Sequence, residues 1–264
     1  MDDELVLFER RNSAAVITIN RPDRRNALNE GVADGIMAGI ERAEADPACR
    51  SIILTGAGDR AFCAGGDLGK DKSGTPFDID FANPRSFVIK LLKRMNDCRL
   101  PIIARVNGHA LAGGFGLLCA CDMAVSVDTA RFGTPESRIG IFPMMILPHM
   151  MRVIPRRHLL EMCITGEQID AEQARQFGIL NHVVAAGELD EKVEWLAARV
   201  ARSSPTGIRI GKMALSAMQD MTMEQALEYA QATLLVMTST DDAAEGIRAF
   251  QEKRSPAWAD APSA

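Results

Sequence analysis

An α/β core of largely parallel strands, followed by an all-helical last third, is the fold class this sequence predicts. Three observations predict it. Short, continuously apolar runs such as "SIILTG" (Ser51–Gly56) and "PIIARVN" (Pro101–Asn107) read as buried strands. They alternate with stretches of helical periodicity, the order that builds crossover units. From Leu189 onward strand signals cease and only helical patterns follow. No strict repeat of fixed period runs through the chain.

Taken in order, "LVLFER" (Leu5–Arg10) and "AAVITIN" (Ala14–Asn20) read as a strand pair around the short Arg11–Ser13 turn. The basic connection "RPDRRNALN" leads to Asn29, a capping residue for the helix "EGVADGIMAGIERAEAD", whose Val32, Ile36, Ile40 and Ala43 recur at helical spacing before Pro47 stops it. After "RAFCAGGDL" comes "GKDKSGTPFDIDFANP", polar and broken by Gly74, Pro76 and Pro84, which reads as a mobile surface segment. "PRSFVIKLLKRMNDC" is amphipathic and helical. "LLCACDMAVSV" passes from helix to strand near Cys121 and Asp122, and "ARFGTPE" from strand to turn. "RVIPRRHLLEMCITG" reads as a helical stretch bent at Pro155. A short helix follows, capped by Asp170 and ended by Gly178, and then the strand "ILNHVV".

Composition narrows the function classes. With 47% apolar and 25% charged residues in 264, the chain is an ordinary globular protein with ample core. A net charge of −5 argues against a dedicated nucleic-acid binder. No apolar run approaches the ~20 residues of a membrane span, and "MDDELVLFERR" carries acids where a signal peptide has bases. A cytoplasmic protein is expected. Cysteines 49, 63, 98, 119, 121 and 163 sit mostly in apolar surroundings, as buried free thiols do. Cys119 and Cys121 lack the further ligands a zinc site needs, so no metal is expected.

Several catalytic signatures are missing. The sequence has no G-x-x-x-x-G-K-[ST], no G-x-G-x-x-G in "AGGFG", no G-x-S-x-G and no H-E-x-x-H. What remains is two glycine loops, "AGGDL" (Ala64–Leu68) and "NGHALAGGFG" (Asn107–Gly116), and the turn "FGTPE" with Glu136. Each glycine loop follows a strand and leads into a helical start, where N–H groups lack partners. One N–H from each, converging on one oxygen, would make an oxyanion hole. Taken singly, each Gly-Gly pair reads as a tight turn or a close helix–strand approach, and Glu136 as a turn or capping residue.

These segments together resemble the crotonase family, the enoyl-CoA hydratases and isomerases. The resemblance runs from "VITINRPDRRNALN" through "AFCAGGDL", "IIARVNGHALAGGFGLLCACDMAV" and "ARFGTPESRIGIFP" to "FQEKR". It implies a spiral of strand–strand–helix turns over residues 1–200 that binds and transforms a CoA thioester. A helical oligomerisation region over 201–264 would build a homotrimer or a dimer of trimers. It implies that the N–H groups of Gly66 and Gly113 hold the thioester oxygen, and that Glu136 is the acid–base group. Arg25 and Ala27 would lie at the nucleotide end of coenzyme A. Ala64, Leu68 and Leu111 would line the pantetheine and acyl path, with Gly65, Asp67, Gly114 and Pro135 around them. Phe250 and Lys253 would reach the CoA site of a neighbouring subunit. Their local pattern equally fits an ordinary amphipathic helix end. Coenzyme A belongs to the substrate, and no separate cofactor is implied.

One departure from the family pattern bears on the reaction. Where two-glutamate hydratases carry their other glutamate, this chain has Gly116. Members with a single glutamate include double-bond isomerases, while a branch of hydratases for branched, methylglutaconyl-like thioesters also resembles this chain in having glycine here. The run "GIFPMMILPHMM" resembles that branch too, and its methionines suit either an irregular acyl pocket or plain helix core. His149 is the one further polar candidate there. Three readings follow: a hydratase of α,β-unsaturated acyl-CoA, with β-oxidation the role the resemblance implies; an enoyl-CoA isomerase using the same glutamate; and a non-catalytic CoA-binding trimer.

Overall fold

The computed structural model describes residues 4–68, 81 and 86–259. The polar segment expected to be mobile lies almost wholly outside the described residues.

The chain opens with the antiparallel pair β1 (Val6–Arg11) and β2 (Ala14–Ile19). Helix α1 (Glu30–Ala45) begins where the Asn29 side chain accepts a hydrogen bond from the Val32 N–H at 2.9 Å. It buries Val32, Ala33, Ile36, Ile40 and Ala43, the face its spacing predicts.

A recurring unit then takes over. Strand β3 (Ser51–Gly56) is followed by β4 (Ala61–Cys63) and helix α2 (Phe87–Asn96). Strand β5 (Ile102–Val106) is followed by β6 (His109–Leu111) and helix α3 (Gly113–Cys119). Strand β7 (Met123–Val127) is followed by β8 (Arg131–Gly133) and a 3-10 turn, Pro135–Ile139. The first strand of each unit joins one sheet and the second joins another. Helices α4 (Leu147–Val153) and α5 (Arg156–Thr165) are separated by Ile154 and Pro155, the bend the sequence predicts. Then come β9 (Ile169–Asp170), α6 (Ala171–Gln176), capped reciprocally by Asp170 and Gln173, β10 (His182–Val184) and α7 (Leu189–Ala201).

The larger sheet has the order β1-β2-β3-β5-β7-β10, parallel from β2 onward. The smaller has the order β4-β6-β8-β9, with β4, β6 and β8 parallel. The chain thus advances by strand–strand–helix turns. Strand β3 is buried along its whole length, as its continuous apolar run requires.

Helices α8 (Pro205–Met218), α9 (Met223–Thr238) and α10 (Asp241–Gln251) complete the described chain and pack on one another. They leave Met223, Leu227, Leu234, Leu235 and Phe250 more than half exposed. All six cysteines are free thiols, five of them buried. Among the described residues no helix is long and apolar enough to cross a membrane.

Candidate active site

The three segments singled out by the sequence leave the same end of three adjacent parallel strands. Ala64–Asp67 follows β4, Ala112–Gly113 follows β6, and Thr134–Glu136 follows β8. The carboxyl ends of parallel strands are where open α/β folds gather their ligand groups. Here they bring both glycine loops and the acid together.

In the first loop the Ala64 N–H donates to the Arg25 carbonyl (3.0 Å) and the Asp67 N–H to the Leu28 carbonyl (2.7 Å). Alternation along extended backbone turns the Gly66 N–H away from Leu28. Neither it nor the Gly113 N–H has an acceptor among the described residues. Gly113 opens α3, where an unpaired N–H is expected. The chain enters through Ala112 at φ 50°, ψ −128°, a conformation that side chains seldom adopt and that costs about 1–3 kcal/mol. The two loops touch. A Cβ added to Gly113 would lie 3.5 Å from the Gly66 nitrogen. One added to Gly65, at φ +99°, would lie 2.7 Å from the Ala112 Cβ.

Glu136 sits in the first turn of the 3-10 helix, with Oε2 buried and without a hydrogen-bond partner among the described residues. Burial pushes its carboxyl above the usual glutamate range, and its own backbone N–H offsets this in part. Arg138, two residues on, pairs with Glu167 and so ties this turn to the segment after α5.

A cavity of about 790 Å³ joins these groups, lined by Ala64, Gly66, Leu68, Gly113, Pro135 and Glu136. Its other walls include Val88 and Ile89 of α2 and the run from Ile141 to Ile146. Met144 and Met145 line it, whereas Met150 is core and Met151 faces solvent. The methionine-rich run therefore serves both pocket and core. His149 is absent from the lining. A second cavity, about 360 Å³, shares Ala64 and is lined by Arg25, Arg60, His109 and Leu111.

Other expected residues lie elsewhere. Asp67 is buried against Arg21 at 2.7 Å. Ala27 is buried, its carbonyl accepting from Arg21. Gly114 is held against Cys63, whose carbonyl oxygen lies 2.1 Å from where a Cβ would stand. Phe250 and Lys253 are exposed and line neither cavity. Sequence reasoning missed Arg21 and Asn26. The Asn26 side chain is fully buried, donates to the Ala57 and Ala61 carbonyls and accepts from the Arg21 N–H, pinning the Arg25 loop to β4. An asparagine inside a basic turn was the available signal, since a buried amide must find partners. Among the described residues no cluster of three His, Cys, Asp or Glu side chains is arranged to hold a metal ion.

The cleft thus places two glycine loops and one buried acid at the strand ends of the smaller sheet, an arrangement suited to acid–base chemistry beside a pair of backbone donors. The family model for enoyl-CoA hydratase/isomerase matches residues 9–261, and the chain belongs to that family, the crotonases. It is 32% identical to (E)-benzylidenesuccinyl-CoA hydratase of Thauera aromatica, covering 96% of this chain and 98% of the relative. It is 34% identical to carnitinyl-CoA dehydratase of Proteus mirabilis, covering 94% and 95%. The solved enoyl-CoA hydratase of Mycobacterium smegmatis superposes with a TM-score of 0.87 at 29% identity, covering 96% of this chain and 98% of that one. The protein is a crotonase-family enzyme.

Proposed function

We propose that the protein is an enoyl-CoA hydratase that adds water across the double bond of an α,β-unsaturated acyl-CoA thioester. The observation that carries this reading is the gathering around a single cavity of the Gly66 and Gly113 N–H groups, which have no acceptor among the described residues, and the Glu136 carboxylate, whose Oε2 has no hydrogen-bond partner there. The thioester oxygen accepts from both N–H groups, which polarises the conjugated double bond. The Glu136 carboxylate takes a proton from water as the water oxygen bonds to the β-carbon. The resulting enolate is held between the two donors. Glu136 then returns a proton to the α-carbon, so water is consumed and the carboxylate is restored.

The cavity lined by Arg25, Arg60 and His109 suits the phosphorylated end of coenzyme A, and its junction at Ala64 suits the pantetheine arm. Met144 and Met145 suit a bulky or branched acyl group. The exposed apolar side chains of α9 and α10 suit burial in a homotrimer or a dimer of trimers, and Phe250 and Lys253 would then approach a neighbour's site.

A second reading, double-bond isomerisation from β,γ to α,β, is favoured by one observation. Gly116 supplies no second carboxylate, and Glu136 is the only ionisable side chain among the described lining residues. The near-ultraviolet absorbance of the conjugated enoyl thioester separates the two. Its loss with crotonyl-CoA supports hydration. A gain with a β,γ-unsaturated acyl-CoA alone supports isomerisation. No change with either, or with branched enoyl thioesters, while the CoA esters still bind, would favour the non-catalytic trimer.

A further inference from the structure

Gly116 lies in the middle of α3, and the space beside it is already filled. A Cβ added there would stand 2.1 Å from the Ile146 Cγ2 and 2.3 Å from its Cβ. Ile146 is 3% exposed and lines the 790 Å³ cavity that also holds Glu136. It is the residue from which α4 starts, and its carbonyl accepts from the Met150 N–H at 3.2 Å. A β-branched side chain in such a position has few rotamers to retreat into. Position 116 and position 146 are thus a complementary pair, one vacant because the other is full.

We propose that Ile146 is a specificity-determining residue. Seated on Gly116, it forms the part of the acyl-pocket wall from which a side chain at 116 would otherwise project. It thereby limits the bulk of the acyl group and leaves proton transfer to Glu136. This rests on the acyl-thioester reading above. In an apolar pocket one methylene changes selectivity by roughly tenfold or more, so trimming Ile146 must change which acyl groups fit.

The test measures binding of saturated, unreactive acyl-CoA thioesters to the full-length protein by calorimetry, which needs no turnover. The series is butyryl-CoA, isovaleryl-CoA and octanoyl-CoA. In Ile146→Ala the affinity ratio of octanoyl or isovaleryl over butyryl should rise about tenfold or more relative to the parent. Ile146→Val, a milder truncation that keeps the β-branch, should shift the ratio in the same direction by less. It provides the readout if the alanine variant fails to fold. Unchanged ratios in a folded variant overturn the proposal while leaving the thioester reading intact. Failure of the parent to bind any of the three overturns both.

A second arm examines the pair directly. Gly116→Ala should lower the unfolding midpoint sharply, and its cost should be smaller when it is introduced into an Ile146→Gly background than into the parent, read as coupling in a double-mutant cycle. A Gly116→Ala variant as stable as the parent would show that Ile146 yields, and would overturn the complementary pairing.

Discussion

Arg21 and Asp67 meet at 2.7 Å beside the first glycine loop, their side chains only 11% and 7% exposed. The same guanidinium donates to the Ala27 carbonyl at 2.7 Å, so one side chain holds both the basic turn and the loop that carries Gly66. Charge-assisted contacts of this kind fix geometry as well as contributing energy.

Removing one member of such a pair strands the other charge. Asp67→Ala is therefore expected to cost about 3–5 kcal/mol of unfolding free energy, read from denaturant titration. Turnover should fall with it, because the Gly66 N–H depends on that loop for its direction. Stability within about 1 kcal/mol of the parent would mean that the contact contributes little.

The two glycines at the loop junction should separate fold from chemistry. Gly65 has φ +99° and no room beside Ala112, so Gly65→Ala should destabilise the protein. Gly113 meets only ordinary contact distances, yet its added methyl would stand 3.5 Å from the Gly66 nitrogen. Gly113→Ala should fold normally and lose turnover by about 10²–10³, the scale of losing one oxyanion donor. Circular dichroism and steady-state kinetics on both variants check this. Full activity in Gly113→Ala would place the thioester oxygen elsewhere.

Much of this arrangement is legible in the chain's local chemistry. Asn29 caps α1 and Asp170 caps α6 because short polar side chains satisfy helix-start N–H groups locally, and local signals are readable from sequence. The break at Pro155 and the helices after Leu189 follow from the same local rules. The smaller sheet is harder to read. Strands of two or three residues such as Ile169–Asp170 and His109–Leu111 are too short to show a period. Gly116 is visible in the sequence as a missing acid, but its reason is not, since Ile146 is thirty residues away and the contact exists only once α3 and α4 pack. Asp67 reads from the motif as a site residue, yet the structure turns its carboxylate to Arg21, a long-range pairing that no spacing announces.

Exposed Leu227, Leu234, Leu235 and Phe250 predict a self-associating helical face. Leu235→Glu should shift the protein toward monomer in analytical ultracentrifugation, since burying an unpaired charge is costly. A sedimentation profile identical to the parent, whether monomeric or assembled, would count against that face as the interface.

Glu136 ties stability to pH in a way that separates its chemical role from a structural one. Burial raises its carboxyl in the folded state. The folded protein then holds that proton more tightly than the unfolded chain, so this group's contribution to stability is fully present below the ordinary glutamate value of about 4.3 and is lost as pH rises through the raised value. At neutral pH the charged carboxylate is a burden on the fold. Glu136→Gln should therefore raise the unfolding temperature at pH 7–8, and the gain should vanish at acid pH. The same substitution should abolish turnover while acyl-CoA binding persists. In the parent, kcat/KM should fall on the acid side with a midpoint above the usual glutamate range, as protonation removes the base. A Glu136→Gln variant that keeps its turnover would assign the proton transfer to another group. One that is less stable than the parent at pH 8 would mean that the ionised carboxylate is held by partners in the fold.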